Sequence, residues 1–123
     1  MTTAQVLREV RRRLAGGKAW CRLVFGGHDG VDWSLNPACV GNHIFGVAGS
    51  PNSETYFAAY SAVLDAAGIA HVRGSTSSIC ALFRWNDTST WEQVALAIDR
   101  AIVAEEAKEA AGAPVASAVA VAS

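Results

Sequence analysis

The sequence is short of the features that mark a membrane protein, a secreted framework or a familiar enzyme. No apolar run approaches the roughly 18 residues that a spanning helix needs, so no membrane association is expected. The opening MTTAQVLREVRRR has no uninterrupted apolar segment and so does not resemble an export signal. Cysteine is scarce and odd in number, at three. That argues against a disulfide framework and predicts free thiols in a cytoplasmic protein. Charge is sparse too, at 17% of residues with a net of −1, so bulk electrostatics give no reason to expect a nucleic-acid partner.

What is present is apolar and helical in pattern. Half of the 123 residues are hydrophobic, enough for one packed core and one domain. Thr2 with Gln5 offers a capping box, and Val6, Leu7, Val10 and Leu14 recur at helical spacing before Gly16-Gly17 stops the helix. Residues 19–25 are aromatic and β-branched, and a glycine-rich turn follows, so residues 19–33 are expected to hold one short strand or hairpin. Asn36-Pro37 predicts a helix start, and Gly41 and Gly46 in that helix call for a close neighbour. Ser50-Pro51 opens the next helix, with Phe57, Tyr60, Leu64 and Ala67 as its stripe and Gly68 beyond its end. Residues 79–85 are apolar and too short to assign by periodicity. A last helix is expected over 91–111 with a stripe of Trp91, Val94, Ala95, Ile98 and Ile102. These elements predict a compact, mainly α domain of four to five helices over residues 1–111, with α+β as the alternative. Residues 112–123 read as a low-complexity, disordered tail.

Charge is uneven along the chain. Residues 1–22 carry six basic groups against Glu9, and residues 91–109 carry five acids against Arg100 and Lys108. Either the two ends attract each other in the fold, or the basic helix meets an acidic partner. Between Trp85 and Trp91 lies a polar link whose Asn86 suits a helix exit and whose Asp87 can accept turn hydrogen bonds. Ser89 with Glu92, or Thr90 with Gln93, can cap the helix that follows.

The order of several short motifs resembles a domain-of-unknown-function family of small actinobacterial and phage proteins. The pattern runs from Trp20-Cys21 through Asp29-Gly30 and Cys39-x-Gly41 to Trp85-Asn86-Asp87 before a final amphipathic helix. The resemblance spans residues 5–104 and departs after Gly41, where Asn42 and His43 replace a small apolar step. It implies a shared origin and fold, and it brings no activity with it.

Catalytic chemistry has thin support. A thiolate nucleophile needs a base and an orienting group. Cys21, His43 or His71, and Asp87 supply those types, yet no local signature surrounds Cys21. Cys39 and His43 would share a helix face, with His28, Asp29, Asp32 or Cys21 to complete a metal set. The Cys-x6-His-x10-Cys-x3-His spacing matches no common zinc pattern, so no metal or cofactor is expected. The glycine turn lacks a phosphate-binding spacing, and no nucleophile elbow is present. The expected role is a protein-interaction module of a phage or mobile element acting on a host protein, with binding residues Arg8, Arg11, Arg12, Trp85, Asn86 and Asp87. The alternative is a cysteine-dependent hydrolase or transferase built on Cys21.

Overall fold

The computed structural model describes residues 1–18, 20, 40–49, 54–73 and 76–122, with side chains for all of these except 76–78 and 113–122. Five helices make up the described fold: α1 (Thr3–Leu14), α2 (Val40–Ala48), α3 (Glu54–Ala67), α4 (Thr76–Thr88) and α5 (Trp91–Ala122). The architecture is the small helical domain expected, with no strand among the described residues. The anticipated strand or hairpin over 19–33 lies outside them apart from Trp20. So do the helix starts at Asn36-Pro37 and Ser50-Pro51.

α1 begins as its sequence predicts. The Thr2 hydroxyl accepts from the Gln5 amide at 3.2 Å, and the Gln5 carboxamide accepts from the Thr2 amide at 2.8 Å. This reciprocal box satisfies two backbone donors that the helix itself cannot. Val6, Leu7, Val10 and Leu14 are all buried. Gly17, at φ 84, then turns the chain away, its amide donating to the Leu14 carbonyl. That backbone region strongly favours glycine.

α3 is the hub, packing against each of the other four helices. Its buried residues are Tyr56, Ala59, Tyr60, Ser61, Ala62, Val63 and Leu64. Of the expected stripe of Phe57, Tyr60, Leu64 and Ala67, only Tyr60 and Leu64 belong to that buried set, because a helix enclosed on several sides buries more than one stripe. Phe57 packs only partly against the core. α5 follows its predicted face more closely. Val94, Ile98 and Ala101 are fully buried, with Trp91 and Ile102 packed at the edge. It continues to Ala122 instead of ending near residue 111. Alanine, the strongest helix former, dominates the added stretch, and Pro114 within it lacks one backbone donor.

α2 reaches α3 and α4 through Gly41. A Cβ on Gly41 would stand 2.6 Å from Phe83 Cε1 and 3.1 Å from the Tyr60 hydroxyl. That hydroxyl donates to the Gly41 carbonyl at 3.2 Å and so accepts from Tyr56, whose oxygen lies 2.5 Å away. The close neighbour that the glycine demanded is thus present. At Gly46 the nearest group is the Arg13 guanidinium at 3.5 Å, an ordinary contact.

Candidate functional site: the α4–α5 joint and the outer face of α5

α4 and α5 are joined by only Ser89 and Thr90. Of the two capping pairs named from the sequence, Thr90 with Gln93 is used and Ser89 with Glu92 is not. Thr90 and Gln93 form the box that starts α5, at 2.9 and 3.2 Å. The Ser89 hydroxyl instead donates back to the Trp85 carbonyl at 2.6 Å, satisfying the end of α4. Thr88 does the same toward Arg84 at 2.9 Å.

Asn86 is not a helix exit. It sits within α4, fully buried, and its carboxamide oxygen accepts from the Trp20 indole at 2.7 Å and from the Val40 amide at 3.1 Å. One side chain thereby ties α4 to α2 and to the segment after α1. The adjacent Asp87 carboxylate lies 3.5 Å from the Asn86 amide nitrogen. Trp91 stacks obliquely on Trp20 with centroids 6.2 Å apart, and Arg11 lies over its ring at 5.4 Å. Trp85 packs separately, at the edge of the core.

The basic face of α1 is engaged within the molecule. Arg8 pairs with Glu106 at 3.1 Å and Arg11 with Asp99 at 2.9 Å, which joins the basic and acidic ends of the sequence. Arg12 grips Glu9 through two hydrogen bonds of 2.9 and 2.5 Å. The Arg12 and Arg13 guanidiniums hold the Glu9 carboxyl down at about 2.

Three of the proposed catalytic residues, His43, His71 and Asp87, lie among the described residues. His43 is buried on α2, and Asp87 lies on α4. His71 follows α3. Its Nδ1 lies 2.9 Å from the Ile69 carbonyl, and its buried Nε2 is 3.8 Å from Asp65 with no hydrogen bond. Asp65 also pairs with Arg73. Cys21 and Cys39 lie outside the described residues, as do His28, Asp29 and Asp32, so neither the thiol site nor the Cys39–His43 set is defined by the structure. Among the described residues no group of three metal-ligating side chains occurs. No described helix is long and apolar enough to cross a membrane.

Two surface features went unrecognised in the sequence. The first is a cavity of about 320 Å³ between the end of α3 and the start of α5, lined by Ala66, Trp85, Gln93, Leu96, Ala97 and Arg100 among others. The second is the outer face of α5, where Leu96 and Val103 are 49% and 68% exposed. Arg100 lies between them and has no carboxylate partner among the described residues. Only its spacing could have marked it. Residues 93, 96, 100 and 103 recur at helical intervals on the side away from Val94, Ile98 and Ala101.

The described residues form a small helical bundle in which Arg8, Arg11 and Asn86 link helices. The chain belongs to DUF6197, a family of unknown function, matching it over residues 1–104. The match takes in α1 to α4 and ends within α5. No curated protein and no solved structure matches the chain.

Proposed function

We propose that this protein is an interaction module that binds another protein through the outer face of α5. The observation that supports this most is the pairing of Leu96 and Val103, two exposed aliphatic residues two turns apart on a helix whose opposite side is core. Scattered single apolar residues are ordinary on a protein surface. Here Ala104 and Ala107 extend the same strip beside Val103, and Arg100 interrupts it with an unpaired positive charge. The partner surface is therefore apolar with a carboxylate opposite Arg100. A second copy of the chain fits this face less well, because two-fold pairing centred on Arg100 would oppose two guanidiniums. The buried or paired state of the polar residues in the bundle favours binding over catalysis. The motif pattern that resembles phage and actinobacterial proteins supports a host protein of the cytoplasm as the partner.

A photo-crosslinker placed at position 103 in host cells tests the reading. One partner crosslinked in stoichiometric yield, and lost on Leu96→Glu, supports it. The same adduct from a crosslinker at the exposed Val72, away from α5, would refute it, as would no adduct at all. Sedimentation of the isolated protein separates a self-association face from a heterologous one.

A further inference from the structure

We propose that the cavity at the α4–α5 joint is a binding site for a carboxylate carrying an aliphatic substituent. It shares Leu96 and Arg100 with the α5 strip but does not depend on that strip binding a protein.

The polar lining is biased toward donors. Arg100 presents a guanidinium without a carboxylate partner among the described residues. Gln93 has its carboxamide oxygen committed to the Thr90 amide, which leaves the two amide protons on Nε2 for a ligand. Trp85 has an indole N–H with no partner among the described residues. Thr88 and Ser89 have already given their hydroxyl protons to backbone carbonyls. No acid appears in the described lining. A wall with donors in surplus and one cation is complementary to an anion. The single guanidinium matches a single negative charge and a planar two-oxygen acceptor, which it can grip in bidentate fashion. A phosphate dianion would leave one charge uncompensated.

The rest of the cavity is apolar. Ala66, Ala67, Trp85, Leu96 and Ala97 supply its apolar lining. About 320 Å³ falls at the lower end of the range for small-molecule sites. The spacing also fits. Gln93 and Arg100 are seven residues apart on one helix face, roughly 10 Å along the axis, with Leu96 and Ala97 between them. A carboxylate held by Arg100 therefore directs its aliphatic group over Leu96, Ala97 and the indole.

The acid can come from a chain terminus or from a free aliphatic acid, and the test separates the two. N-acetyl-leucine and 4-methylpentanoate are titrated against the full chain alongside their amides, following the Trp85 indole proton–nitrogen cross-peak by NMR. For ligands this small the expected Kd is about 1 mM. Arg100→Gln is expected to weaken binding at least about tenfold, as loss of a charged hydrogen-bond partner does. Arg84→Gln removes an arginine that is equally unpaired but outside the lining, and is expected to leave Kd unchanged. Binding by both acids and neither amide assigns a free aliphatic acid; binding by N-acetyl-leucine alone assigns a chain terminus. The site is refuted if the amides bind as well as the acids, if Arg100→Gln binds like the parent, or if the Trp85 peak is unmoved at about 50 mM acid. Both arginines are exposed, and circular dichroism of each variant verifies that the fold is intact.

Discussion

The carboxamide oxygen of Asn86 accepts the indole proton of Trp20 at 2.7 Å, across 66 residues of chain. The same oxygen takes the amide proton of Val40, the first residue of α2. Two donors from distant segments thus depend on one buried acceptor. Asn86→Ala is expected to destabilise the protein by about 3 kcal/mol, since each stranded donor costs about 1–3 kcal/mol when buried. Trp20→Phe removes one donor together with its need for a partner. In a double-mutant cycle by urea unfolding, the pair is expected to couple by about 1 kcal/mol. Additive losses would show that the bond contributes nothing.

Gly41 and Gly46 lie on the same helix and respond oppositely to a methyl group. At Gly41 the new carbon lands 2.6 Å from the Phe83 ring, so Gly41→Ala is expected to cost about 1–2 kcal/mol after its gain in helix propensity. At Gly46 the neighbour is the end of the Arg13 side chain, and Gly46→Ala is expected to stabilise by about 0.5–1 kcal/mol. Thermal melts of the two variants should move in opposite directions.

Glu9 gives the fold an acid-sensitive element. Hydrogen bonds from Arg12, then Arg13, lower its carboxyl from an ordinary 4.5 to about 2. A carboxyl depressed in the folded state contributes stability above pH 4.5, and that contribution is lost as the pH falls toward 2. Glu9→Gln should flatten the stability profile between pH 4.5 and 2 and leave its shape above pH 5 unchanged. A profile identical to the parent's across that window would contradict the assignment.

Two arginines of α1 reach α5, but with different support. Arg8 meets Glu106 where both side chains are about half exposed, the setting in which ion pairs contribute about 0–1 kcal/mol. Arg11 meets Asp99, donates to the Ala15 carbonyl at 3.1 Å and covers the Trp91 ring. Arg11→Ala is expected to cost about 1.5 kcal/mol and Arg8→Ala under about 0.5. In about 0.5 M salt the Arg8 effect should vanish while most of the Arg11 effect persists, because screening acts on the exposed pair first.

The legible parts of this fold are those written in local periodicity. The α1 cap and stripe and the packed side of α5 follow from residues a turn or two apart, and the tight fit at Gly41 shows in the sequence only as a glycine inside a helix, because its neighbours are Tyr60 and Phe83. Tyr56 and Val63 were missed because the burial of α3 depends on how many helices surround it, which no single-helix pattern encodes. Asn86 was assigned to a turn because asparagine commonly ends helices; its partners lie 46 and 66 residues away. Of the two capping pairs, spacing alone could not choose, and the Trp85 carbonyl decided by drawing Ser89 backward. Arg100 was counted only as a basic charge among acids for a related reason. A lone arginine among acids looks like a solvated surface charge until it is seen to line a cavity.

The contact between α1 and α5 has a consequence during synthesis. Arg11 and Asp99 are 88 residues apart. At about 5–20 residues per second, roughly 4–18 s separate their appearance. In that interval α1 has its capping box and can coil, but α5, one of the helices that packs on it, has not yet been made. The nascent chain therefore carries an arginine-rich amphipathic helix without its final cover, and one-step completion of the bundle waits for α5.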